Sequence, residues 1–167
     1  MINSIIKFIL SDFSLWTPIV AILIGIYANY KNHNGLSFNI LRYLLFFVAG
    51  LQGLYTAIMH IFFGDFTSAQ IGWQPSPFEF EVGLANLSYA FIGFIAFFKK
   101  DFGLWLGVVG GLSVFLIGAG FGHIYQLVAH ANHAGSNSGV ILYTDIIVPI
   151  IMIILLYLRH KKLAIEI

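Results

Sequence analysis

The sequence predicts an all-α integral membrane protein: residues 1–167 as a single domain, folded into a bundle of five transmembrane helices. Three observations carry that expectation. Hydrophobic residues make up 59% of the chain and charged residues only 9%, too little charge for a water-soluble domain to cover its surface; mean hydropathy is +0.91. The apolar residues gather into five runs, most of them long enough to cross about 30 Å of hydrocarbon as helices. Polar segments with the chemistry of helix ends separate the runs. The lipid bilayer is therefore the first partner. A net charge of +1 without an extended basic cluster argues against nucleic acid. With no cysteine, disulfides, thiolate metal sites and cysteine nucleophiles are excluded.

In chain order, residues 1–14 hold Lys7 and Asp12 around a short apolar core. With no small-residue cleavage pattern, they are expected to form an interfacial helix or a lead-in to the first span rather than a cleaved signal peptide. The first span is expected at about 15–30, with Ser14 or Thr17 as its cap and Pro18 in its first turn. Lys31 to Gly35 reads as a polar turn, after which Ser37 caps a span at about 38–63. Along that span Gln52, Thr56 and His60 recur every four residues, a polar stripe expected to face other helices. Gly64 to Ser76 reads as an interfacial loop able to act as a lid.

Ser76 and Pro77 have the cap and first-turn chemistry for a third span at about 78–98. Glu79 and Glu81 lie in its first turns, where the positive end of the helix favours carboxylates; Glu79 is expected in solvent. Lys99, Lys100 and Asp101 form a charged turn before a fourth span at about 102–130. Gly103, Gly107 and Gly111, then Gly118 and Gly122, recur there every four residues. Small residues at that spacing mark close helix packing in bilayers, which puts this helix at the centre of the bundle. Ala131 to Gly139 reads as a loop, and the fifth span, about 140–158, contains Asp145 and Pro149. Trp16, Trp73 and Trp105 are expected at the membrane interface, and His33, His133, His160 and Glu166 in solvent.

Basic residues collect at Lys31 and Arg42, at Lys99 and Lys100, and at Arg159, Lys161 and Lys162, which are alternate ends of five spans. The positive-inside rule makes that side cytoplasmic. The N-terminus is then outside, the C-terminus is cytoplasmic, and the expected location is the cell inner (plasma) membrane.

This topology brings His60, Glu81, His123 and Asp145, from four helices, to one layer in the outer half. Asp145 lies six residues past Gly139, roughly 9 Å into its helix. Titratable groups at membrane depth are costly, so their default reading is functional. Two imidazoles and two carboxylates form a candidate site for a divalent transition metal (zinc, iron or manganese), with Gln126, His130, Tyr55 and Tyr89 as supporting partners. A haem held by paired histidines is less favoured, because the carboxylates would be poor neighbours.

The Ser76, Pro77, Phe78, Glu81 group, the Gly122, His123, Tyr125, Gln126 group and the Gly139 to Pro149 stretch with Asp145 resemble an uncharacterised family of small polytopic prokaryotic membrane proteins. The resemblance covers mainly the last three spans and implies no activity. Three functions stay open from the residues: a metal-dependent protein acting on a membrane-soluble substrate, a proton- or cation-conducting transporter subunit, and a structural or accessory subunit with a ligand-free polar layer. A homo-oligomer or a larger membrane complex fits the second and third.

Overall fold

Five helical segments in the computed structural model, which describes residues 12–165, are long and apolar enough to cross a membrane. Helix α1 is Phe13–Asn32. The second span, α2, is Leu36–Phe62, with a π-helical stretch at Leu45–Gln52. A short α3, Gly64–Ile71, leads to α4, Phe78–Lys99, and α5, Phe102–His130. A single turn, α6, Gly135–Ser138, precedes α7, Val140–Ile165. Much of the expectation for residues 1–14 falls on residues 1–11, which lie outside the described residues, as does Glu166.

The helix boundaries differ from the sequence reading where caps compete. Helix α1 starts two residues early, with Asp12 at its N-cap position, so Ser14 and Thr17 sit inside it and Pro18 lies beyond its first turn. Thr17 bonds the Phe13 carbonyl and Gln52 instead. Helix α2 starts at Leu36 rather than at a Ser37 cap. Gly35, at φ +108°, makes the reversal, a conformation glycine adopts without steric cost. Gly64 to Ser76 is not a plain loop, since half of it is α3.

The second span is the hub, packing against α1, α4, α5 and α7. Its contact with α4 is a seam of small residues. Gly53 lies against the Asn86 carbonyl and Ala90, Gly93 against Ala49 and the backbone of Gly50, and Gly83 against Ile61. Without side chains between them the backbones approach closely, which in lipid substitutes van der Waals contact for a hydrophobic driving force. The glycines of α5 behave differently. Gly107, Gly118 and Gly122 face open space, Gly103 meets only Asp101, and Gly111 touches Tyr89. The glycine spacing therefore does not place α5 at the centre. Only Gly120 makes a tight helix contact, with Ile146 of α7.

The apolar core is concentrated at one half of the bundle, from Phe38 to Ala49 of α2, through Ala96 and Trp105 to Leu116, to Val148, Met152 and Leu156 of α7. Trp105, expected at the interface, is 1% exposed. Its indole N–H donates to the Ala96 carbonyl at 2.8 Å and its ring stacks on Phe38. A buried indole is stable where its N–H has a partner.

Candidate functional site

The opposite half, where the 63–77 and 131–139 connections lie, carries two polar constellations. Each is assembled from a long helix, a short connecting helix and the next long helix.

In the first, His60 Nδ1 of α2 lies 2.5 Å from Glu79 Oε2 in the first turn of α4. Ser68 of α3 donates to the other carboxylate oxygen at 2.6 Å. His60 and Glu79 are each 12% exposed at the side chain. Thr67 anchors α3 by donating to the Phe63 and Met59 carbonyls. Ser76 accepts from the Phe78 N–H and so starts α4, as its cap chemistry predicts. His60 and Glu79 line an open cleft of about 490 Å³ whose other walls include Asp65, Ser76 and the phenylalanines at 62, 63, 66 and 80. Among the described residues no lysine or arginine lines it.

In the second, His123 of α5 is buried with Asp145 of α7, its Nε2 3.8 Å from Asp145 Oδ2. Gly120, one turn before His123, lets α7 approach: a side chain there would meet Ile146 at 2.9 Å and Asp145 Cβ at 3.6 Å. His123 Nδ1 is 2.9 Å from Oδ1 of Asn137, which is fully buried on α6. Asn137 Nδ2 donates to the carbonyls of Asn132 and His123. Those two bonds fix the amide orientation, so Oδ1 is the acceptor and His123 Nδ1 carries a proton. Trp73 stacks over the imidazole with ring centroids 6.0 Å apart. Proline has no N–H, so Pro149 leaves the Asp145 carbonyl, four residues earlier, without its helical donor.

The connections lock to each other where Asn132 Nδ2 donates to the Ile71 carbonyl. Gly72 (φ +78°) makes the turn beside that bond, where a Cβ would lie 2.6 Å from Asn132 Oδ1.

Of the four residues expected in one layer, the structure pairs His123 with Asp145 and separates them from His60, which pairs with Glu79. Glu81 is exposed and takes no part in either pair. Two residues along a helix turn about 200°, so only one of Glu79 and Glu81 can face inward. Among the described residues, no group of three or more His, Asp or Glu is close enough to hold a metal ion. The expected supporting residues also disperse. Tyr89 donates to the Gly111 carbonyl, tying α4 to α5, and Tyr55 packs against Phe13. His130 is exposed, edge-on to Tyr125, and Gln126 is half-buried.

Sequence reasoning missed Glu79, Ser68, Asn137 and Trp73. Glu79 left a signal: with Gly83, Asn86, Ala90 and Gly93 it lies at spacings of four, three, four and three, the buried face of α4. Asn137 left none, because a loop asparagine reads as solvated.

Among the described residues, these features define a multi-pass, all-helical membrane protein with two histidine–carboxylate pairs at one end of the bundle. The chain belongs to a family of unknown function, DUF6790, whose model matches residues 11–164. No curated protein and no solved structure matches it.

Proposed function

We propose that this is a membrane-embedded binding protein, and that the cleft beside His60 and Glu79 takes the polar head of an amphipathic molecule drawn from the lipid. The observation that supports this is the composition of the cleft: among the described residues, two carboxylates, a histidine and no lysine or arginine, walled by exposed phenylalanines. Such a surface favours a cationic or hydrogen-bond-donating head, with its apolar tail on the rings. The His60–Glu79 contact is the group that would exchange a proton with a bound head. Loop charge orients the molecule with this end outside and the basic end, including the C-terminus, cytoplasmic, in the inner (plasma) membrane.

A second reading keeps the charge preference but changes the ligand. His60 with Glu79, or His123 with Asp145, offers two protein donors to a divalent zinc, iron or manganese ion, with solvent completing an open shell. The experiment is binding of a fluorescent alkylammonium and of the matched alkylcarboxylate to protein in zwitterionic nanodiscs, alongside metal analysis with and without chelator. The ammonium is expected to bind about tenfold or more tightly, roughly 1.4 kcal/mol. Glu79→Gln and Asp65→Asn should each erode that difference. Equal binding of the two probes overturns the proposal, and stoichiometric chelator-sensitive metal establishes the second reading.

A further inference from the structure

The basic end of the bundle holds a second concavity, of about 430 Å³, lined by His33, Asn34, Phe38, Lys100, Arg159 and Lys162. Its walls come from three separate stretches: the turn between α1 and α2, the turn between α4 and α5, and the end of α7. The positive-inside rule accounts for basic residues at this end, but not for their convergence on one hollow whose lining, among the described residues, has no carboxylate.

The hollow is built rather than incidental. Asn39, fully buried, donates to the Asn29 and Asn32 side chains and to the Gly35 carbonyl, and Asn32 donates back to Asn39. The Gly35 N–H donates to Asn29. This asparagine cluster holds the turn that carries His33 and Asn34. His33 and Lys100 both adopt left-handed backbone conformations, at φ 54° and 53°. Each ends a helix while keeping a backbone bond, His33 to Asn29 and Lys100 to Ala96. Arg159 lies over the Phe38 ring, 5.0 Å from its centroid, which fixes the stem of the guanidinium.

We infer that this pocket binds a net-anionic phosphate group at the membrane surface. Lys100 and Arg159 supply the charge, Arg159 the planar donor fork, and the Asn34 and His33 turn further polar groups. Basic pockets between transmembrane helices have the position and charge to take anionic lipid head groups. A soluble phosphate has the same chemistry.

The test compares lipid retained by protein in nanodiscs of phosphatidylcholine with and without phosphatidylglycerol, read by native mass spectrometry, with inorganic phosphate as competitor. The wild type should retain phosphatidylglycerol over phosphatidylcholine by about tenfold or more. The Lys100→Gln/Arg159→Gln/Lys162→Gln variant should lose that preference. Lys100→Gln alone, at an exposed turn, should reduce it and serves where the triple variant does not fold. Lys99→Gln/Lys161→Gln, at the same basic end but outside the pocket lining, should keep it. Displacement of the lipid by inorganic phosphate, or stabilisation by phosphate without the lipid preference, identifies soluble phosphate as the ligand; retention despite phosphate identifies the lipid. Absence of both lipid preference and phosphate response in the wild type, or equal loss in the Lys99/Lys161 control, overturns the inference.

Discussion

His123 shows how one side chain's partners dictate the chemistry of the next. Its Nδ1 is committed as a donor to Asn137, so in the neutral ring the Nε2 lone pair faces the Asp145 carboxylate. Two acceptors facing each other repel, so the pair holds together when one proton resides on it. Asp145→Asn puts an amide N–H opposite that lone pair, and thermal unfolding in nanodiscs should show a change within about 1 kcal/mol. Asp145→Leu removes the partner and should cost about 1–3 kcal/mol. If Asn costs as much as Leu, the assigned tautomer is wrong. If Asp145→Asn instead strips a bound metal from the wild type, the metal reading gains this site. Asn137→Ala should be among the more destabilising polar substitutions, by roughly 2 kcal/mol, because it leaves an imidazole N–H and the Asn132 carbonyl without their partner, while the His123 carbonyl keeps its helical donor.

At the level of elements, glycine spacing identifies a helix that can pack closely but not whether it does. On α4, Gly93 lies where a Cβ would be 2.6 Å from Ala49 Cβ and 2.9 Å from backbone atoms of Gly50 and Leu45. Neither backbone can yield without moving α2, so Gly93→Ala should destabilise by about 1–3 kcal/mol. On α5, Gly107 has nothing within 4 Å of the same position. There an added methyl only restricts the unfolded chain and favours the helix, so Gly107→Ala should stabilise by about 0.5–1 kcal/mol. Unfolding of the two variants side by side checks both signs, and equal effects would contradict the seam between α2 and α4. The same seam determines which carboxylate faces inward, since Glu79 lies one turn before Gly83 on the packed face and Glu81 does not.

Across the whole molecule the two ends are held by different forces. The basic half is closed by large apolar side chains around Trp105, Leu41 and Met152, with the asparagine cluster confined to its α1–α2 turn, whereas the other is tied mainly by hydrogen bonds through α3 and α6. Short helices held by a few side-chain bonds open at lower cost than long helices packed through an apolar core, so amide exchange should be faster in α3 and α6 than in the middle of α2 and α5. Orientation has a direct check: a reporter fused after Lys162 should be cytoplasmic and one inserted near Gly135 external. Both on one side would refute the five-span crossing.

The number, order and approximate limits of the spans were legible in the sequence, because in a bilayer the backbone must satisfy itself within helices and apolar length alone announces them. The polar character of one end was legible too, since His60, His123 and Asp145 are costly at that depth unless something faces them. Which group faces which was decided only by tertiary structure. Pairing depends on helix rotation, and rotation is set by contacts between helices distant in sequence: Gly93 on Ala49, Gly120 beside Asp145, and Trp105 turned inward to the Ala96 carbonyl. It depends as well on loop residues, Ser68 and Asn137, that acquire partners only when two short helices fold back over the bundle. Local pattern records what a helix carries; the direction in which it points belongs to its neighbours.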